Sequence, residues 1–208
     1  MPLERLILAF DTSAAHCAAA LLSGDRILVQ GVEPMEKGQA ERLMPFLKEL
    51  MTKVAVGWTD LTALAVGTGP GNFTGVRIAV AAARGLALGL GVPAVGVTRF
   101  QALGHGQPRP LTVIEDARRG EVYVQRLDTG MPVLATLEAA IAEGGPFAGS
   151  AATMSGGPVT PPLWPLAEAI ARAGAALLAR GTQPRPAPFY LRSADATPPA
   201  ERPPLILP

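Results

Sequence analysis

The chain has 208 residues, 49% of them hydrophobic and 17% charged, with a formal net charge of +1. That is enough apolar material for one large domain or two small ones, under a charged surface thinner than the roughly 25% of average proteins. There is no basic stripe of the kind that binds nucleic acid unaided, so any RNA contact is expected to need a partner.

Cys17 is the sole cysteine, which excludes a disulfide framework and a cysteine-based zinc site. The opening Met1-Pro2-Leu3-Glu4-Arg5 runs straight into a strand-like segment and does not read as a signal peptide, so a cytoplasmic location is expected. Residues 6–10 read as a buried strand, Asp11-Thr12-Ser13 as a turn, 17–22 as a second strand, 23–26 as a hairpin turn and 27–32 as a third strand. Residues 39–54 then show helical spacing, with Ala40, Leu43, Met44, Leu47, Leu50, Met51 and Val54 on one wide face. Pro45 interrupts that run and is expected to kink or restart the helix.

A strand over 61–66 leads into Gly67-Thr68-Gly69-Pro70-Gly71-Asn72-Phe73-Thr74-Gly75-Val76-Arg77, and a long, weakly charged helix over 74–90 follows. A strand, a Gly-rich turn and a helix N-terminus together make a common site for anions or docking partners. The loop fits neither usual phosphate motif. A P-loop needs Lys-Ser or Lys-Thr after its last glycine, and here Val76-Arg77 follows Gly75. A G-x-G-x-x-G fingerprint fails in both registers, because Asn72 or Thr74 falls at the third glycine position. The plainer reading of the glycines, a tight turn before a buried helix, stays open. The stretch 78–97 carries Arg84, Gly85, Gly89, Gly91 and Pro93, and is read as a buried helix followed by a strand over 94–97, not as a membrane span.

Three antiparallel strands, helix, strand, helix, strand is one half of the actin-like, ribonuclease-H-like architecture. Residues 1–104 are expected to form that N-terminal lobe. A smaller C-terminal lobe is expected over 105–208, with strands at 111–114 and 122–127, a short helix at 134–142, a short strand at 147–151 and a final helix at 166–179. Proline is concentrated after Gly157, and residues 184–208 read as an extended or partly disordered tail. The fold class expected is therefore α/β: a two-lobed actin-like fold, of the sugar kinase and actin ATPase type, with a truncated second lobe.

The chemistry is thin. In actin-like kinases and ATPases an Asp in the first hairpin holds Mg²⁺ and nearby hydroxyls meet phosphate oxygens, which makes Asp11, Thr12 and Ser13 candidates. An Asx-type turn satisfying its own backbone explains the same residues. Arg118, in the matching hairpin 116–123 of the second half, could meet an anion, whereas Arg119 reads as a solvated charge. Ser155-Gly156-Gly157-Pro158 is the only Gly-rich candidate for an adenosine pocket in that half. His16 and His105 are the only histidines and have no i, i+4 partner, so a histidine metal site and a Ser-His-Asp hydrolase are not expected. The helix 74–90 carries small residues on several faces. Either the neighbouring helix covers its second side or another protein does.

Five stretches occur in the order and spacing of the bacterial TsaB (YeaZ) family. They are Phe10-Asp11-Thr12-Ser13, Glu41-Arg42-Leu43-Met44-Pro45, Gly69 to Arg77 of the loop, Asp116-Ala117-Arg118-Arg119-Gly120-Glu121-Val122-Tyr123 and Pro188-Phe189-Tyr190-Leu191-Arg192. The chain resembles that family from about residue 6 to residue 192. Asn72 departs from the Ser commonest at its position, a change expected to be tolerated. The resemblance implies a shortened relative of TsaD, the glycoprotease-like threonylcarbamoyl transferase. It implies a subunit without activity of its own that pairs with TsaD through the two N-terminal-lobe helices and with the ATPase TsaE, meets tRNA only through that complex, and self-associates as a homodimer when isolated. The catalytic relative carries a His-x-x-x-His pair at its first helix, and Lys37-Gly38-Gln39-Ala40-Glu41 here has no histidine.

The expected partner face is then Leu43, Met44, Leu47, Gly69, Pro70, Gly71, Asn72, Phe73, Thr74, Gly75, Arg77, Ala82 and Gly85. Asp11, Thr12, Ser13 and Arg118 form a remnant nucleotide cleft. No cofactor is required by the chain, and ATP or ADP at the cleft or the partner interface is compatible with it. Two rival readings are a stand-alone actin-like kinase and a protease acting on TsaD.

Overall fold

The computed structural model of the chain describes residues 5–181 and 185–192. Of the expected Pro-rich tail, residue 184 and residues 193–208 lie outside the described residues.

The first sheet is built from β1 (Leu6–Asp11), β2 (His16–Ser23), β3 (Arg26–Pro34), β4 (Ala63–Gly67) and β5 (Ala94–Val97), in the order β3-β2-β1-β4-β5. β1, β2 and β3 run antiparallel, while β1, β4 and β5 run parallel. The parallel connections carry helices because a parallel pair needs a crossover. These helices are α1 (Gln39–Thr52) and α2 (Phe73–Leu90), and α3 (Arg99–Gly104) follows β5 and leads to the second sheet.

The period of two along β1 sorts its side chains to two covered faces. Leu8 and Phe10 join Leu43, Leu47, Leu50, Ala79 and Ala83 beneath α1 and α2. Ile7 and Ala9 face the other way, toward Ile170 and Ala173. Both faces are dry, which is why β1 reads as an unbroken apolar run. Cys17 belongs to the first of these cores, and burial first, then the nearby Glu33 carboxylate, pushes its thiol up to about 11. Pro45 lies inside α1, which continues through it, so the expected restart does not occur. α2 is long and apolar enough to cross a membrane by length and composition, yet Val76, Ala79, Val80 and Ala83 pack on the sheet.

The second sheet holds β6 (Thr112–Asp116), β7 (Glu121–Arg126), β8 (Val133–Thr136) and β9 (Phe147–Ala148), in the order β8-β7-β6-β9. This repeats the first four positions of the first sheet, with the same antiparallel and parallel senses. The architecture is thus two-lobed, ribonuclease-H-like and actin-like, with the second lobe cut short. The helix expected over 134–142 is split. Residues 133–136 pair with β7, and Thr136 then caps α4 (Leu137–Ala142) by accepting from the amide of Ala139.

The last helix, α5 (Leu166–Ala179), corrects the expected lobe boundary. It lies in the second half of the chain but packs across β1, β2, β4 and β5 of the first sheet. Its face is Ala167, Ala171, Ala173 and Gly174, set against small strand residues such as Ala18, Ala20 and Ala65. A Cβ at Gly174 would stand 2.5 Å from Cβ of Ala65, closer than real Cβ atoms come. Gly174→Ala gains up to about 1 kcal/mol of helix propensity, but pushing α5 off the sheet costs roughly 1–3 kcal/mol. A lower thermal midpoint is expected, checked by circular dichroism.

Candidate functional site

The Gly-rich loop is shaped by the turn that ends β1. A Cβ at Gly71 would meet the carbonyl oxygen of Ser13 at 2.5 Å, and one at Gly75 would fall well inside 3.0 Å of the carbonyl oxygen of Thr12. The amide of Asn72 donates to the Ser13 carbonyl at 2.6 Å, and the Thr12 hydroxyl donates to the Gly75 carbonyl at 2.6 Å. Glycine is required here by backbone lying on backbone. Asn72 caps α2, its side-chain oxygen accepting from the Gly75 amide at 2.9 Å. Serine does the same at an N-cap, so the departure at position 72 is a change between equivalent caps. Gly69, at φ 92, is in the left-handed region that favours glycine, and its carbonyl accepts from the amide of Arg99.

The turn and the loop form one wall of a cleft of about 820 Å³ between the two sheets. Ser13, Asn72, Phe73, Arg99, Glu115 and Arg118 are among its lining residues. The carboxylate of Asp11 is buried behind Ser13. Its Oδ1 accepts from the Ser13 amide at 3.0 Å and hydroxyl at 2.9 Å, and lies 2.9 Å from Nε2 of His16. Burial opposes its ionisation, but the His16 hydrogen bond, then the charge of Arg99, outweigh this and hold the acid below the usual carboxylate range.

Arg99 crosses the cleft floor. Its Nε donates to Oε2 of Glu115 at 2.6 Å, and its guanidinium reaches Oγ of Ser13 at 3.5 Å. Oε1 of Glu115 accepts from the Ser150 amide at 2.8 Å. Burial works against the Arg99 charge, and Glu115 and then Asp11 more than restore it, leaving its pKa raised.

The cleft therefore departs from a metal–nucleotide site in its donor set. Asp11 is spent on its own turn, the Thr12 hydroxyl and the Asn72 and Gly75 amides are already bonded, and a guanidinium lies across the floor. Arg118 lies on the rim, exposed at φ 63, with its amide bonded to Asp116 Oδ1. The Ser155-Gly157 turn packs on Phe147 of β9 and does not line the cleft. Among the described residues no three His, Cys, Asp or Glu side chains converge.

The expected partner face divides on inspection. Leu43 and Leu47 are 1% and 0% exposed and belong to the chain's own core, which removes them from any contact surface. Gly69, Pro70 and Gly75 are also buried. Ala82 is half-buried against the same core. Met44, Gly71, Asn72, Thr74, Arg77 and Gly85 are exposed. Leu88, not among the expected residues, is 83% exposed on α2. A Cβ at Gly85 or Gly89 would meet nothing among the described residues within 4 Å.

Phe73 and Arg77 are engaged by the chain itself. Residues 185–192 run back over the loop, the Phe189 amide donating to the Thr68 carbonyl at 2.8 Å. Tyr190 stacks on Phe73 with centroids 4.8 Å apart, and its hydroxyl pairs with Nε of Arg77 at 2.9 Å. Cζ of Arg77 lies 3.8 Å from the Phe73 ring centroid.

Arg99 and Glu115 escaped the sequence reading. A capping box, in which Thr98 accepts from the Gln101 amide and Gln101 from the Thr98 amide, announces α3 and so places Arg99 at its first residue. Its partner on another sheet leaves no local signature.

Residues 27–159 match the family model described as "TsaD: tRNA N6-adenosine threonylcarbamoyltransferase". The chain is 39% identical over 123 residues to the Escherichia coli "tRNA threonylcarbamoyladenosine biosynthesis protein TsaB", a match covering 56% of this chain and 52% of that protein. In that match the chain spans about half the length of its curated relative. It is 34% identical over 200 residues to an uncharacterized protein of Mycobacterium tuberculosis, covering 92% of this chain and 94% of the other. Among solved structures, "YeaZ from Pseudomonas aeruginosa" superposes with a TM-score of 0.72 at 28% identity, covering 90% of this chain and 100% of that one.

Proposed function

This chain belongs to the TsaB (YeaZ) family, and on that premise we propose that it serves the formation of threonylcarbamoyladenosine in tRNA, as a non-catalytic subunit that pairs with a TsaD-type transferase. The observation that carries the pairing is the outward face of α2. Thr74, Arg77, Ala81, Gly85, Leu88 and Gly89 are exposed along it, and Met44 of α1 is exposed as well. Each helix glycine sacrifices about 1 kcal/mol relative to alanine. Gly85 and Gly89 do so where nothing among the described residues approaches. A second helix lying close across them gives those residues a purpose. In solution the same face suits a second copy of the chain, and a TsaE-type ATPase completes the assembly.

The non-catalytic part of the reading is supported by the cleft, whose polar groups are bonded to one another, within each lobe and, through Arg99 and Glu115, between them. The test is reconstitution by omission. TsaD, TsaE, threonylcarbamoyl-AMP, ATP and unmodified tRNA are combined with and without this chain, and ATP hydrolysis by the chain alone is followed in parallel. Modification that requires the chain, with no hydrolysis by the chain alone, is the expected result. Modification proceeding undiminished without it, or hydrolysis by the chain alone, would overturn the reading and favour a kinase-like role.

A further inference from the structure

The lobes of a nucleotide-handling actin-like protein meet through a metal–phosphate group in the cleft, and here the same gap is crossed by protein. A chain of contacts runs from Asp11 to Ser13, from Ser13 to Arg99, from Arg99 to Glu115 and from Glu115 to the Ser150 amide. It starts on the turn after β1, passes through the first residue of α3 and ends on the second sheet and the loop beyond β9. We propose that Arg99 is an internal cation that closes this cleft in place of a metal-bound nucleotide, tying the two sheets together at one fixed angle. The proposal rests on the fold and the cleft alone, so it stands or falls separately from the pairing with TsaD.

Three features of the site argue for it. The cation is needed, because Glu115 is a carboxylate only 6% exposed whose charged partner is Arg99, while Asp11, 2% exposed and bonded to His16, adds its charge from the other lobe, and buried charges must be paired. Arginine suits the task, since its charge is permanent and its planar fork can serve two partners at once. Its backbone is held as firmly as its side chain, the Arg99 amide being bonded to Gly69 of the Gly-rich loop at 2.8 Å. A closure made this way does not respond to nucleotide concentration. The loop and the exposed end of α2 are then presented in one conformation at all times, which lowers the ordering cost of any docking event.

The experiment uses the full chain and Mn²⁺ as the probe, read by electron paramagnetic resonance with and without ADP. The wild-type chain is expected to bind neither Mn²⁺ nor Mn·ADP. Arg99→Ala leaves Glu115 without its cation and Asp11 with His16 alone. It is expected to lower the thermal midpoint by on the order of 10 °C and to gain Mn²⁺ binding that recovers part of the loss. Arg99→Ala combined with Glu115→Gln is expected to lose that binding, and Arg99→Lys to restore the midpoint in part without Mn²⁺. A folded Arg99→Ala that neither binds Mn²⁺ nor loses stability overturns the proposal. So does wild-type binding of Mn·ADP that disappears in Asp11→Asn, a measurement that holds even where Arg99→Ala does not fold.

Discussion

Gly85→Glu is expected to abolish pairing with the TsaD-type subunit while leaving the isolated chain folded. The two halves of that outcome have separate causes. In the isolated chain a side chain at position 85 meets none of the described residues within 4 Å of its Cβ. Glutamate also favours the helix over glycine by roughly 0.5–1 kcal/mol, so the thermal midpoint should hold or rise slightly. In a close helix–helix contact the same side chain places a charge where it has neither water nor a partner. An uncompensated buried charge costs about 3–5 kcal/mol, which weakens association by at least about a hundredfold. Gly85→Ala sharpens the test. It should stabilise the isolated chain, yet weaken a tight interface by the roughly 1–3 kcal/mol of overpacking. Calorimetric titration against the partner, with circular dichroism of the variant alone, reads both quantities. Undiminished binding by Gly85→Glu would place the partner on another surface. Ala82 is a poorer probe than the sequence suggests, because it is half-buried against the chain's own core and a bulky charge there would perturb the fold as well.

That difference between positions 82 and 85 shows what was legible in the sequence and what was not. The helical spacing over 39–54 located α1, because burial on one face imposes a helical period, and the long, weakly charged run after the Gly-rich loop located α2. A single pattern does not say which apolar residues are spent on the chain's own sheet. Leu43 and Leu47 read as contact residues and turned out to be core. Small residues are ambiguous in the same way. Gly174 is small because β4 lies directly beneath it, and Gly85 is small with none of the described residues above it. The final helix was legible as a helix, but its return to the first sheet was not, since the choice of sheet depends on tertiary fit between alanine-rich surfaces. The split of 134–142 into strand and helix has a local cause. Thr136 is a good N-cap, and cap chemistry there overrode an apolar run that suits either state. The cleft was legible on one side only. Asp11, Thr12 and Ser13 stood out as a turn, whereas Arg99 reaches a carboxylate 16 residues away and a hydroxyl 86 residues away. No periodicity or motif records pairs at such separations.

Gly75→Ala is expected to have the largest effect on stability of any single methyl addition in the loop. The new Cβ would fall well inside 3.0 Å of the Thr12 carbonyl oxygen, and the obstacle is backbone, which cannot rotate away. Either the first turn of α2 or the turn after β1 must move. Moving either one breaks the Thr12 hydroxyl bond to the Gly75 carbonyl and the Asn72 cap on the Gly75 amide. The first is a buried bond and the second a helix cap, each worth about 1 kcal/mol. Overpacking adds roughly 1–3 kcal/mol, and the gain in helix propensity returns less than about 1 kcal/mol. A net loss of about 2–4 kcal/mol follows, a fall in thermal midpoint on the order of 10 °C for a chain of this size. Denaturant titration and thermal melting check it, and a midpoint unchanged from wild type would show that the loop is softer than its contacts imply. The pairing defect of this variant should track its folding defect, and conditions that restore the fold should restore binding. Gly85→Glu should do the reverse, folding fully and failing to bind at any temperature. Comparing the two therefore separates a loop that shapes the surface from a surface that is itself the contact.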